Sequence, residues 1–406
     1  MRASCRRFAL NSRCRSLIFL CLTAVVATAT VAQVNAVYVE SNVGQTKNHN
    51  SVYAFSNDGT GKLTAITGSP YLTNGTGVFS AVSSGAPGFQ ADQEIVVNPS
   101  GNLLFAVNGD SNTITAFKIN GDGSLTLSAT SPSNGQDPVS IGFDGTSIAG
   151  PQMTVVNQAA DPRQTGGVPN ATSFLVNNTS GALTPVANST IQLPAGSLPA
   201  DAVVSPSGKF VFLVQFMGGG LLSSYTVGSS GLLTLNNTEV PSRGTTFLGA
   251  AVHPKQRVIY VGMPVVNMFG VYTYSTAGTM AFGKVIVNPG TQICWMTTNI
   301  KGTRLYTSEA GSNTVTVYDI SGANFIKPVQ LQHLTLLAGG NAANLKLDPT
   351  GTFLYVLALN ETGTTGNFLH VLNVSSADGI LTETLTPLSI PVPAGEIPQG
   401  LAVVMK

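Results

Sequence analysis

Charge is what this sequence has least of. Only 9% of its 406 residues are Asp, Glu, Lys or Arg, 19 basic against 18 acidic. So little charge argues against a solvated disordered chain, and no Lys/Arg cluster in its body suits a nucleic-acid backbone. Cysteine is equally scarce. Of Cys5, Cys14, Cys21 and Cys294, the first three crowd the N-terminus. If that segment is removed, Cys294 alone remains, which excludes an intrachain disulfide and a thiolate metal site. The four histidines (His49, His253, His333 and His370) are scattered without metal-ligand spacing. No HExxH, P-loop or nucleophile-elbow motif occurs. Helical periodicity is missing outside the first 30 or so residues, which argues against a bundle.

Those first residues have a character of their own. Arg2, Arg6, Arg7, Arg13 and Arg15 precede an apolar core, Ser16 to Ala29, and Thr30-Val31-Ala32 is a small-residue cleavage signal before Gln33. The pattern predicts a secretory signal peptide over residues 1–32 and a secreted or periplasmic protein. The core is short for a membrane span, so no stable span is expected after cleavage. Cleavage removes five Arg and no acid, which takes the formal charge from +1 to −4. A weakly acidic mature chain is not expected to bind nucleic acid.

What the chain does have is Gly (44), Pro (22) and a repeat. The unit is clearest from Asn98 to Leu127. Asn98-Pro99-Ser100-Gly101 is a turn, with Pro fixing φ and Gly accepting φ > 0. Leu103 to Val107 is a short apolar strand. Thr113 to Ile119 is β-branched and aromatic, as a pleated sheet favours. Asn120-Gly121-Asp122-Gly123 is a hairpin turn, and Ser124 to Ser128 closes the unit. Copies of the turn start at Ser205, His253, Asn299 and Asp348, each followed by a strand such as FVFLV or FLYVL. A degenerate copy without Pro lies at Phe143-Asp144-Gly145. A spacing of roughly 45–50 residues, with four short strands per unit, is the signature of propeller blades.

Seven units fit residues 33–406. The first lacks an inner strand, because Val37-Tyr38-Val39 matches the second strand of the repeat. The last residues, Gly400 to Val404, match a first strand and have no second strand after them. The fold expected is therefore all-β: a seven-bladed β-propeller of four-stranded antiparallel blades, closed by pairing of the C-terminal strand into the N-terminal blade. Closure removes open sheet edges. A monomer is expected.

Propeller geometry gathers two sets of loops on one face, around the central channel. Just before the inner strands stand Glu94, Asp137, Asp201, Trp295, Asn344 and Gln399. The loops between second and third strands hold Asp110, Asp161, Arg163, Glu309 and Glu361. Glu309 fits either a general base or a solvated loop carboxylate. Trp295 fits either a platform for a sugar ring or inter-blade packing. Asp137 and Asp201 fit either ligand contacts or a divalent cation in the channel, although no organic cofactor is called for. His253, in a turn on the opposite face, reads as structural.

The stretch from Leu305 to Asp319, LYTSEAGSNTVTVYD, resembles the lactonase-family seven-bladed propellers, the YVTN-repeat proteins that include bacterial 6-phosphogluconolactonases and a muconate-cyclising relative. The turns at Asn98 and Ser205 are similar to that family too, and the resemblance spans about residues 36 to 406. It implies a propeller whose active members carry G-x-x-P-R-H before an inner strand and a Glu after the second strand. Glu309 matches that Glu. The Arg-His pair has no match: the corresponding dipeptides are Cys294-Trp295, Ala200-Asp201, Leu248-Gly249 and Ala343-Asn344. Lactone hydrolysis needs a base for water and a cation or donor for the oxyanion, and Lys346 and Arg163 are the nearby cations. Two functions follow. One is a lactone hydrolase with Glu309 as catalytic residue and Trp295, Asp201, Asn344, Glu94, Asp137 and Arg163 around the substrate. The other is a non-catalytic propeller holding a carbohydrate, peptide or surface partner at the mouth.

Overall fold

The computed structural model describes residues 35–79, 91–144, 150–242, 246–360 and 366–406. The signal-peptide segment, Gly145 and Glu361 lie outside the described residues. Seven antiparallel sheets succeed one another along the chain. Blade 2 shows the plan: Ile95–Val97, Leu103–Asn108, Thr113–Ile119 and Leu125–Pro132, numbered from the axis outward. In blades 1, 3 and 7 the outer strand is split into two short pieces, as in Leu381–Thr382 and Leu388–Ser389. Pro70 and Pro387 sit in two of these breaks, where the missing N–H ends the ladder.

The ring closes as the sequence predicts. Gln399–Met405 is the inner strand of blade 1 and pairs antiparallel with Asn35–Glu40, from Asn35 opposite Met405 to Glu40 opposite Gln399. Its ladder slips at Gly400, whose φ of +82° is the left-handed region that suits glycine.

The turn between first and second strands repeats down to single hydrogen bonds. Asn98 Oδ1 accepts from the N–H groups of Asn102 and Leu103. Asn299 Oδ1 does the same for Thr303 and Arg304, and Asp348 Oδ1 for Thr352 and Phe353. In blade 5 His253 Nδ1 accepts from Lys255 and Gln256 N–H. His253 therefore caps a turn, in keeping with its structural reading. A polar first residue satisfies amides that the turn would otherwise orphan.

The core lies between blades. Second strands are buried on both faces, as in blades 2 to 5. Four of their aromatic side chains hook the next blade. Tyr38 donates to Gly123 O, Tyr260 to Phe325 O and Tyr306 to Gly379 O, while Tyr355 Oη accepts from Asn57 Nδ2. Each ring buries its apolar body between sheets and satisfies its hydroxyl at the far side.

Candidate active site in the channel

Inner strands bulge where they approach the axis. The ladder skips a residue between Pro199 and Asp201, between Ile293 and Met296, and between Ala342 and Leu345. A bulge re-aims the side chains beside it. Register then identifies one position per blade, the residue just before the pairs Ile95–Ala106, Ile141–Val155, Ala202–Leu213, Ala250–Val261, Met296–Thr307, Leu345–Val356 and Leu401–Val39. These residues are Glu94, Ser140, Asp201, Gly249, Trp295, Asn344 and Gly400. Four of the residues expected at the channel fall in this ring. Asp137 precedes it by three residues and Gln399 by one.

Several ring side chains stitch one inner strand to the next. Ser140 Oγ accepts from Ala202 N–H at 3.1 Å, Asp201 Oδ2 from Ala250 N–H at 3.1 Å, and Asn344 Oδ1 from Gly400 N–H at 3.1 Å. Trp295 fills its part of the ring with bulk. It is buried in one apolar cluster with Ala200, Leu248, Cys294, Ala343 and Leu401. A Cβ on Gly249 would stand 2.5 Å from the indole, so the blade-5 position must be glycine for the Trp to lie there. The indole packs here between blades and presents no open face.

The rest of the channel holds a segment of the chain itself. Ala91, Asp92 and Gln93, which lead into blade 2, run between the inner strands. Asp92 N–H donates to Ala200 O, Gln93 O accepts from Ile141 N–H, and Gln93 Nε2 donates to Asp201 Oδ1 at 2.9 Å and to Ala202 O. Asn344 Nδ2 donates to Asp92 Oδ1 at 2.9 Å. Blades 2, 3, 4 and 7 thus meet on three residues.

This crossing concentrates carboxyl groups. Burial, then the charge of Asp92, pushes Asp201 up to about 8. Burial raises Asp92 as well, opposed by Lys346 and Asn344. Glu94 lies beyond them, with both carboxyl oxygens buried and without a hydrogen-bond partner. Burial, and next the charge of Asp92, raises it well above the usual carboxylate range. Asp92, Gln93, Lys346, Thr297 and Thr298 line a cavity of about 220 Å³ that opens on the underside, the face of the Asn98-type turns. Among the described residues, no group of three or more His, Cys, Asp or Glu could hold a metal ion.

The opposite face is covered. Gly77 N–H donates to Val43 O, Val78 N–H to Asn42 Oδ1 and Phe79 N–H to Asp161 Oδ2. Arg163 secures this strap. It stacks 4.6 Å over the Phe79 ring, donates to Gly44 O at 2.6 Å, and lies 3.4 Å from Asp110 and 3.6 Å from Asp161. Asp137 sits beneath, accepting from Ala160 N–H; burial, then the charge of Asp161, pushes it up to about 8. Glu309 is elsewhere, buried within blade 6. Its Oε1 accepts from Asn288 Nδ2 at 3.0 Å and from the Thr307 hydroxyl, and its Oε2 from the Thr314 hydroxyl at 2.8 Å. Burial outweighs these bonds and pushes Glu309 up to about 7. The site residues expected from sequence therefore fall into three places: Asp201, Asn344 and Glu94 around the channel segment, Arg163 and Asp137 under the strap, and Glu309 and Trp295 in packed interiors.

A family model described as lactonase, 7-bladed beta-propeller, matches residues 47–198. The resemblance to the lactonase-family propellers stands. The curated proteins contain no match to the chain. Solved structures share the fold. The periplasmic gluconolactonase of Pseudomonas aeruginosa is 13% identical, with 92% of this chain and 99% of that one covered and a TM-score of 0.68. A candidate 6-phosphogluconolactonase of Bacteroides fragilis is 14% identical over 93% and 99% of the two chains, at a TM-score of 0.67. A Lactobacillus plantarum protein is 15% identical over 92% and 99%, at 0.67.

In this lactonase-like propeller, the four dipeptides that stand where the family has Arg-His occupy one register position, at the inner-strand bulge in blades 4, 6 and 7 and just before the inner strand in blade 5. Asp201 and Asn344 hold the channel segment, while Trp295 and Gly249 pack on each other. Sequence reading missed Asp92 and Gln93, because the segment that delivers them belongs to no repeat. Only the Gly-, Ser- and Pro-rich break in periodicity before blade 2 marks the place.

Proposed function

We propose that this protein is an exported lactone hydrolase whose reacting groups are Asp92 and Lys346, with Asp201 behind them. One observation carries the reading: Asp92, oriented by Asn344 and near enough to Asp201 for its charge to raise that group, shares the wall of the underside cavity with Lys346. A carboxyl group raised by burial is suited to accept a proton near neutral pH. An ammonium beside it suits the developing oxyanion. In the proposed step, Asp92 takes a proton from water as the water oxygen bonds to the lactone carbonyl carbon. Lys346 holds the oxyanion. The ring C–O bond then breaks, and the leaving oxygen takes the proton back, which gives the hydroxy acid. The lactonase resemblance and the basic, apolar leader support the substrate class and the export. Glu309 competes for the role of base, but both its oxygens already accept hydrogen bonds inside blade 6.

Hydrolysis of a panel of small lactones, glucono-δ-lactone among them, by the purified protein tests this. Asp92→Asn is expected to lose at least about 100-fold in kcat, the scale of a missing general base, while Glu309→Gln keeps its turnover. The reverse pattern would transfer the role to Glu309. The missing Arg-His pair favours one other reading, a non-catalytic propeller that binds a carbohydrate, peptide or surface partner; no turnover on any lactone would select it.

A further inference from the structure

A second cavity, larger than the one at the channel, lies beside it on the underside between blades 6 and 7 and holds about 620 Å³. That is the size of a pocket for a ligand of several linked rings. Its walls are the blade-6 turn Asn299 to Thr303, the blade-7 turn Asp348 to Gly351, and the hairpin turn Val374 to Gly379. It meets the channel cavity at Pro254, Thr297, Thr298 and Lys346, which line both.

The charges around it are unequal in availability. Two carboxylates line it: Asp348 is committed, with Oδ1 accepting from two turn amides and Oδ2 from Asn35 Nδ2 and the Thr350 hydroxyl, and Asp378 is exposed, with Oδ1 accepting from Ile380 N–H. Arg304 is committed too, to Asp319 at 2.9 Å and to the carbonyls of Thr303 and Asp378. Lys301 and Lys346 form no ion pair with any described residue. Lys301 stands exposed at one rim and Lys346 at the junction with the channel. Between them the lining offers hydroxyls, Thr298, Ser321, Ser375 and Ser376 among them, together with apolar surface from Ile300 and Pro349. The only aromatic side chain in the wall, Tyr306, is fully buried. A base-stacking ligand therefore has no platform, whereas a ligand of hydroxyls, C–H faces and spaced negative charges has a partner for each part.

We propose that this groove binds an acidic oligosaccharide, a chain of two or three sugars with carboxylates that reach Lys301 and Lys346. The groove shares Lys346 with the Asp92 centre, while its other cation, Lys301, lies outside that centre; binding here stands whether or not the channel hydrolyses lactones.

Titration calorimetry with trigalacturonate, and with neutral cellotriose of the same length, tests it. Saturable binding of trigalacturonate is expected, at least tenfold tighter than cellotriose and weakened by added salt, because exposed charge pairs are screened. Lys301→Ala is expected to weaken trigalacturonate at least fivefold while turnover of a small lactone, where present, stays unchanged. Lys301 sits in an exposed turn, so this variant keeps the fold; an unaltered melting temperature checks that. Lys301→Arg, which keeps the charge, is expected to retain most of the affinity. Equal binding of the two trisaccharides, no saturable binding of trigalacturonate at 10 mM (roughly the weak end of ligand affinities), or an unchanged affinity in Lys301→Ala would overturn the proposal.

Discussion

Side chains of one type do different work here according to how their oxygens are satisfied. Glu309 has three donors and is still pushed up to about 7, because burial outweighs them. Glu94 has no hydrogen-bond partner for either oxygen, and burial holds it well above the usual carboxylate range. The consequence for stability has a definite sign. A carboxyl raised in the folded state leaves stability intact below the unfolded value, near pH 4.5, and weakens the fold as pH rises through the folded value. For Glu309 that window runs from about pH 4.5 to about 7. Denaturant unfolding of Glu309→Gln against the parent should therefore show the variant gaining on the parent as pH rises across this window. The gain should be on the order of 2 kcal/mol and level off above about pH 8. A constant difference at all pH values would mean that Glu309 ionises freely. Lost turnover in the same variant would be a separate result, bearing on its chemistry.

At the scale of elements, the propeller uses one connection twice. The chain between the outer strand of blade 1 and the first of blade 2 supplies the strap over the covered face and the segment through the channel. Arg163 reaches from blade 3 to hold the strap, and four contacts share its guanidinium. Exposed ion pairs contribute little singly, but a half-buried guanidinium that also stacks and donates to a carbonyl contributes through geometry. Arg163→Ala is expected to speed amide exchange at Gly77, Val78 and Phe79 at least tenfold while leaving Leu103 to Asn108 protected. Hydrogen-exchange mass spectrometry reads both, and equal protection in parent and variant would show that the strap holds without Arg163. The same connection marks the limit of what the sequence revealed. Blades were legible because turn and strand signals are local and recur, so Asn98, Ser205, Asn299 and Asp348 each announced a strand. The bulge position was legible in blades 2, 4, 6 and 7, where the register carried over. It slipped in blade 3, whose last inner-strand turn lacks Pro, so that Asp137 was expected where Ser140 stands. Asp92 and Gln93 were beyond reach because long-range contacts place them, and no period does.

The whole molecule depends on a single seam. Among the described residues Cys294 is the one cysteine, and it is buried, so no disulfide joins two of the described strands. What holds the circle is Gln399–Met405, the only strand of blade 1 that comes from the other end of the chain. Its six register pairs with Asn35–Glu40 cover the backbone of a strand that is otherwise buried on both faces. Its side chains Leu401, Ala402 and Val404 belong to the apolar clusters on either side, and Gly400 N–H completes Asn344. Removing it would uncover a flat apolar edge and both neighbouring interfaces at once, and an unpaired edge of that kind recruits other chains. Deletion of residues 398–406 is therefore expected to yield aggregate, or a protein melting at least about 10 °C lower, well beyond the few degrees that one lost kilocalorie produces. Size-exclusion chromatography and thermal unfolding measure this. A synthetic peptide of residues 398–406 should restore part of the monomer by filling the vacant strand position. A truncated chain that stays monomeric with an unchanged melting temperature would show that inter-blade packing alone closes the ring.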